Sequence, residues 1–318
     1  MKKIKITDTV SLSRLSLGDC KRGDPAREEA AFAVMDRYVE LGGDTFDSAR
    51  MYNDGGADRA LCKWMRSRGV RRDDITIVTK GSHHELSSWT VSRLSPGEIE
   101  QDLDESLSFM EISQSDLHLL HRDDVRIPVS EIVPALSGLV RSGKTRAVGV
   151  SNWTASRIIA ANLFALENGH EPIRCSQMHF GLALTTPAAS GDLTHVFMNE
   201  VEFGWYRESR LPVMCFGAQA RGWFAARAAG REPTPSPKQY YDLLPENHRR
   251  LARLEKLSAR LDRSFAAITT AYARDRGLNA IVLSSFSGVA QLEEAFDAEN
   301  FTLSPEEIKY LETGAGSF

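Results

Sequence analysis

Apolar residues recur at every second position, or close to it, over residues 4–17, through Ile4, Ile6, Val10, Leu12, Leu15 and Leu17. That period suits a β-hairpin followed by a first strand. From there the pattern trades between helix and strand. Arg27 to Leu41 places Ala30, Ala31, Val34, Met35 and Tyr38 on one helical face and is stopped by Gly42-Gly43. Further helices are predicted at about 57–68, Ser95–Met110, 130–141, Thr154–Asn168, 192–209, 246–260, Phe265–Asp275 and Val289–Ala298, the last core helix. Ser95-Pro96-Gly97-Glu98 marks the clearest start, with an N-cap serine, a proline at N1 and an acid at N3. Short apolar runs separate the helices at 44–47, 75–80, 116–121, 145–150, 174–178, 211–216 and 281–283. The proline-rich stretch 233–237 reads as a mobile excursion.

With the run ending at Leu17, eight strand-like segments follow the hairpin, and no linker between them reads as a domain boundary. Strands alternating with helices imply a parallel sheet covered by helices. Eight such units favour closure into an α/β (β/α)8 TIM barrel, a single domain over residues 1–318, with the N-terminal β-hairpin closing the barrel bottom.

In such a barrel, chemistry sits where the strands end. Gly43-Asp44-Thr45-Phe46-Asp47-Ser48-Ala49-Arg50-Met51-Tyr52 releases an acid and then a phenol. Ile75-Thr76-Ile77-Val78-Thr79-Lys80 ends in a lysine, Asp116-Leu117-His118-Leu119-Leu120-His121 in a histidine, and Ala147-Val148-Gly149-Val150-Ser151-Asn152 in two polar residues. If those ends share one mouth, Asp47, Tyr52, Lys80 and His121 are neighbours. A lysine ammonium beside a phenol favours the phenolate, and a carboxylate keeps the lysine charged and oriented. A neutral imidazole can donate a hydrogen bond to a substrate carbonyl. Such a set protonates a developing alkoxide as hydride arrives at carbon, which is carbonyl reduction. Taken singly, each residue has an ordinary explanation: a helix cap, a packed aromatic, a solvated lysine. Four together at successive strand ends do not.

Composition narrows the class without adding chemistry. The 318 residues are 42% hydrophobic and 26% charged, with 39 Lys and Arg against 43 Asp and Glu and no long block of one sign. That argues against nucleic-acid and membrane-surface roles. No signal-like or membrane-spanning run is present, so a cytoplasmic protein is expected. Cys20, Cys62, Cys175 and Cys215 are scattered and read as reduced, mostly buried thiols. The glycosylation patterns at Asn152 and Asn300 carry no meaning without secretion.

Two motifs mislead. Gly138-Leu139-Val140-Arg141-Ser142-Gly143-Lys144-Thr145 spells a phosphate loop, but a helix precedes it and a strand follows, the reverse of the required context. Gly143 then belongs to a helix C-cap and Lys144 to a turn. His83-His84 are not expected to bind metal, because adjacent side chains should diverge and no partner stands at a helical spacing; substrate-loop or surface histidines fit better. No GxGxxG follows a strand, so a nicotinamide cofactor would bind by another route than a Rossmann site.

Together, Asp44-Thr45-Phe46-Asp47-Ser48-Ala49 with Tyr52, Val78-Thr79-Lys80, Leu119-Leu120-His121-Arg122 and Gly149-Val150-Ser151-Asn152 resemble an aldo-keto reductase, over a match from about Leu15 to about Ala298. The resemblance implies Tyr52 as proton donor, Lys80 and Asp47 as its tuners and His121 as the carbonyl-orienting residue. It further implies Ser151, Asn152 and Gln177 at the nicotinamide carboxamide, whose donor and acceptor groups suit polar side chains. Phe216-Gly217-Ala218-Gln219-Ala220-Arg221-Gly222 corresponds to the segment that stacks on the nicotinamide and wraps the pyrophosphate, although Arg221 also fits a solvated surface charge. Ser285, Ser287, Gln291 and Glu294 line up with residues around the adenosine half.

The chain departs from that pattern in three places. Many relatives carry Tyr or Trp in place of Phe216, which keeps the stacking face without its polar handle. Many NADPH-preferring relatives carry Arg in place of Ser287, and a guanidinium is the natural partner of a 2′-phosphate. Ala295 stands where an Asn often follows Glu294. NADP(H) is expected ahead of NAD(H), with a small-molecule carbonyl substrate and a monomer or weak homo-oligomer. A nicotinamide-sensing regulatory subunit with little turnover is the competing reading. A barrel isomerase or hydrolase lacks the paired carboxylates or metal spacing it needs. Trp89 and Phe180 suggest an apolar pocket or a cover on the barrel rim.

Overall fold

The computed structural model describes residues 1–18, 23–85 and 91–316; Cys20 and Trp89 lie outside them. A two-stranded antiparallel hairpin, β1 (Lys3–Lys5) and β2 (Ser11–Ser13), pairs Ile4 with Leu12. Eight parallel strands then close into a barrel: β3 (Leu15–Gly18), β4 (Thr45–Asp47), β5 (Thr76–Gly81), β6 (Leu117–Leu120), β7 (Val148–Ser151), β8 (Ser176–His179), β9 (Val213–Phe216) and β10 (Ala280–Ser284). They are hydrogen-bonded in chain order, with β10 returning to β3.

Side chains alternate across a strand, and this alternation decides which residues face the barrel axis. Val78, Leu117, Leu119, Ala147, Cys175, Met214 and Ile281 form one apolar cluster. Their strand neighbours Ile77, Leu120, Val148, Val150, Val213 and Val282 pack instead against the helices. Two residues beyond an inward apolar residue the next inward position is reached, near the strand's C-terminal end. There the chain places Lys80 after Val78, His121 after Leu119, Gln177 after Cys175 and Phe216 after Met214. The axis is apolar below and polar above.

The hairpin covers the lower end. Ile6, Val10 and Leu12 join the axial cluster, with Leu12 fully buried. The Ser13 amide donates to Thr45 Oγ1 at 2.7 Å and its hydroxyl to Asp44 Oδ1 at 2.6 Å, fastening the hairpin to β4.

Three segments differ from the sequence expectation. The helix expected at 192–209 is Glu200–Ser209, capped by Asn199, whose Oδ1 accepts from the Val201 and Glu202 amides at 2.9 and 3.0 Å. Residues 191–199 form an irregular loop instead, bridged through Phe197 to His179. The 233–237 stretch is no excursion: Pro235 opens a helix, Pro235–Tyr241, that buries Pro237, Tyr240 and Tyr241. Proline at N1 loses no hydrogen bond, so it starts helices as readily as it breaks them. A further helix, Pro305–Thr313, follows Val289–Phe296 and starts with a Ser304/Glu307 capping box like that of Ser95 and Glu98.

Removing the hairpin's central side chain should leave a cavity at the foot of the barrel. Leu12→Ala is expected to cost about 2–4 kcal/mol in urea unfolding; a loss under about 1 kcal/mol would mean that the hairpin does not seal the axis.

Candidate active site

Lys80 and Asp47 meet as an ion pair inside the barrel mouth, with side chains 0% and 1% exposed. Two buried charges persist only when their remaining hydrogen-bonding capacity is met. Gln177 contributes to this from β8, its Nε2 donating to Asp47 Oδ2 at 2.9 Å. The loop after β4 is tied to β5, the Ser48 amide donating to the Val78 carbonyl and the Arg50 amide to the Lys80 carbonyl, both at 2.9 Å. A turn closed by the Tyr52 amide on the Ala49 carbonyl then brings the Tyr52 ring over Lys80, with Nζ 4.9 Å from the ring centroid.

His121, whose amide donates to the Gly81 carbonyl at 2.8 Å, sets its ring edge-on to Tyr52 at 5.6 Å and 77°. Burial foremost, then the cations Arg122 and Lys80 and the neighbouring His83, hold its pKa well below the usual histidine range. The imidazole is therefore neutral and able to donate one N–H while accepting at the other nitrogen. Asp47, Tyr52, Lys80 and His121, expected as neighbours, are joined at one rim.

Ser151 and Asn152 extend this wall. Ser151 Oγ donates to the Gln177 carbonyl at 3.0 Å, and Asn152 Nδ2 donates to Ser151 Oγ at 3.0 Å and to the His121 carbonyl at 3.3 Å. Asn152 is left-handed, at φ 59°, a conformation asparagine tolerates better than most residues. Its Oδ1 is buried with no hydrogen-bond partner among the described residues. An unsatisfied buried acceptor asks for a donor, and the amide N–H of a carboxamide supplies one. Gln177, expected at the same carboxamide, spends its amide nitrogen on Asp47.

Across the barrel, Phe216 ends β9 with its ring edge-on to His179 at 5.4 Å. Gly217 follows at φ 80°, where a Cβ would come within 2.5 Å of His179 Nε2, so only glycine fits. Gln219 Nε2 donates to Thr270 Oγ1 at 3.3 Å. Arg221 is exposed, lies over the Tyr240 ring at 4.1 Å and donates to Ser236 Oγ at 2.8 Å. Because β10 pairs with β9 through Leu283 and Phe216, the segment after β10 emerges beside this one. Ser285, Ser287, Gln291 and Glu294 are all exposed there, with Gln291 Oε1 accepting from the Ser287 amide at 2.8 Å.

Two parts of the expectation for His83 and His84 do not hold, the diverging side chains and the surface placement, whereas His84 does border a cleft at the mouth. Their rings lie 4.3 Å apart rather than diverging, both residues are buried, and His83 stacks edge-on to His121 at 4.8 Å. Donor atoms of His83, His84 and Asp192 fall within 4.8 Å of one another, a grouping able to hold a metal ion. Arg122 already supplies a cation there, pairing with Asp192 at 3.0 Å. No local spacing signals Asp192, which joins from more than a hundred residues along the chain. Phe180 is 9% exposed and packs against Phe203 and Tyr272 in the helical layer. The phosphate-loop lookalike begins within the last turn of helix Val129–Arg141, and its Lys144 is held by Glu100 and Asp104, both within 2.8 Å.

A closed barrel with a carboxylate, lysine, tyrosine and histidine at its mouth defines a carbonyl-reductase type of site. The aldo/keto reductase family model matches residues 14–314. The chain belongs to that family and is an oxidoreductase. An aldo-keto reductase of Schizosaccharomyces pombe, named for NADP(+), is 24% identical over 300 residues, covering 90% of this chain and 83% of the yeast protein. Norsolorinic acid reductase of Aspergillus flavus is 25% identical over 306 residues, covering 93% of this chain and 72% of that protein. An aldo-keto reductase from Klebsiella pneumoniae, solved in complex with NADPH, superposes with a TM-score of 0.73 at 21% identity, over 98% of this chain and 93% of that one.

The buried histidines make a measurable demand on pH. Burial above all lowers the pKa of His83, His118 and His179 to about 3 and that of His195 to about 4. The unfolded chain takes up these protons near pH 6.5 and the folded chain does not. Stability is therefore complete above that pH and falls as pH drops toward the folded values. His118 alone should remove about 2 kcal/mol between pH 7 and pH 5. Urea melts across that range should show the decline, and His118→Gln should make it shallower by about 2 kcal/mol over the interval; an unaltered slope would clear His118 of the effect.

Proposed function

We propose that this aldo/keto reductase reduces an aldehyde or ketone to the alcohol, with Tyr52 as proton donor. The observation that carries the reading is the buried Lys80–Asp47 pair beneath the Tyr52 ring, beside a neutral His121. A nicotinamide cofactor, when bound, supplies the hydride for the carbonyl carbon. His121 offers an imidazole N–H to the carbonyl oxygen and orients it toward the phenol. Tyr52 gives its hydroxyl proton to that oxygen. Lys80, anchored by Asp47, stabilises the phenolate left behind, and burial of the pair strengthens the attraction by excluding water.

Asn152 and Ser151 would hold the carboxamide, the unsatisfied Asn152 Oδ1 matching its N–H. Gln177 would contribute through the groups its bond to Asp47 leaves free. Phe216 offers a stacking face, Gly217, Gln219 and Arg221 the pyrophosphate segment, and Ser285, Ser287, Gln291 and Glu294 the adenosine end. NADP(H) is favoured by the cofactor named for the yeast relative and the NADPH held by the Klebsiella protein. NAD(H) stays in the proposal because Ser287 lacks a guanidinium for a 2′-phosphate. A complete proton-donating set argues for turnover over a purely sensing role. We place the protein in the cytoplasm, as a monomer or weak homo-oligomer. The free, buried thiols Cys62, Cys175 and Cys215 suit a reducing compartment, and no helix of the described residues is long and apolar enough to cross a membrane.

Tyr52→Phe should lower kcat for carbonyl reduction by about 10²–10⁴-fold while cofactor affinity, followed by fluorescence titration, is kept; undiminished turnover would refute Tyr52 as the acid. Ser287→Arg should raise the ratio of kcat/KM for NADPH over NADH by about tenfold. A ratio that does not move would take Ser287 out of cofactor choice.

A further inference from the structure

Arg122 follows His121 at the end of β6, and its side chain is 9% exposed. Its guanidinium donates in four directions. Nη1 reaches the His121 carbonyl at 2.8 Å and Nε reaches Thr194 Oγ1 at 2.9 Å. Nη2 reaches Asp192 Oδ2 at 3.0 Å and His195 Nε2 at 2.9 Å. The Thr194 amide braces Asp192 from behind, donating to Oδ1 at 2.9 Å.

One side chain thus joins two parts of the site that are about seventy residues apart. The first is the main chain carrying the His121 imidazole, whose carbonyl also accepts from Asn152. The second is the irregular loop 191–199, whose Leu193 and Thr194 border a cleft of about 270 Å³ beside His84 and Asn152. An ion pair serving only stability would need one partner, and replacing a buried pair by apolar groups is often neutral for stability. Here the rigid five-donor fork has most of its N–H groups engaged, one on the carbonyl of the imidazole-bearing residue itself.

We propose that Arg122 is a positioning residue for carbonyl reduction, setting the aim of the His121 imidazole in register with the loop 191–199 wall of the substrate cleft. The inference rests on His121 as the carbonyl-orienting group. The wall to which Arg122 is fastened borders the cleft that Asn152 also lines, and Asn152 in turn donates to the His121 carbonyl. Orientation and fit are then adjusted by the same guanidinium.

Arg122→Lys keeps the charge, but a single ammonium cannot span acceptors on two chain segments. The expected result is unchanged cofactor affinity, a kcat for an aromatic aldehyde lowered by about 10–100-fold, and a larger primary isotope effect with NADPH deuterated at the transferred position. Wild-type kcat and isotope effect in this variant would overturn the proposal. Asp192→Asn loosens the far end while leaving Arg122 on His121, and should raise KM by about tenfold with a smaller change in kcat; an unmoved KM counts against the proposal even if Arg122→Lys does not fold. A readout independent of turnover is the NMR signal of the His121 ring, assigned by its loss in His121→Asn. It should shift or broaden in both the Arg122 and Asp192 variants, and an identical signal in both overturns the proposal. Wild-type protein that reduces no carbonyl would count instead against the proposed function.

Discussion

The ion pair between Asp47 and Lys80 is the constraint to which the upper half of the barrel answers. An ammonium and a carboxylate removed from water cost several kcal/mol each unless their geometry and remaining hydrogen bonds are satisfied. Strand register delivers both partners to the axis, and Gln177 reaches from β8 to the carboxylate's second oxygen. The main chain of Lys80 also helps to position the phenol, because the Arg50 amide in the loop carrying Tyr52 donates to the Lys80 carbonyl. The geometry of the mouth and the closure of the barrel are therefore one problem in this chain. A strand slipped by one residue would turn Lys80 outward and expose an uncompensated acid within.

Much of this is legible in the sequence because a barrel strand has two faces and the period of two reports on both. Val78 and Lys80, or Leu119 and His121, show where the apolar axis ends and the polar mouth begins. The capping box at Ser95 locates its helix, and the same signal at Ser304 locates the C-terminal one. Less legible is the stretch from Asp192 to Asn199. Val196, Phe197 and Met198 form an apolar run that suits a buried helix, yet the stretch is held by a bridge from Phe197 to β8 and by Arg122 on Asp192, contacts that no local window contains. The prolines at 235 and 237 mislead in the opposite sense, since their position in a helix decides whether they break it or begin it.

The histidines around the mouth show why residue type alone is a poor guide to a site. His83, His84, His121 and His195 gather near one aspartate, a composition that suggests metal. The guanidinium of Arg122 among them changes the electrostatics: burial and a fixed cation together favour neutral rings. Neutral imidazoles pack edge to face, donate and accept, and cost less to bury than imidazolium ions. The arginine thereby lets a dense set of titratable groups behave as an uncharged lining.

The hairpin beneath the barrel has a kinetic corollary. With Ile6, Val10 and Leu12 packed into the axial cluster, the described residues offer the inner ammonium no path to bulk water through the foot of the barrel. Proton traffic at Lys80 is then left to the mouth, where the strands end. On the role proposed for Tyr52, whose ring is partly exposed, the phenol regains its proton from that same upper end.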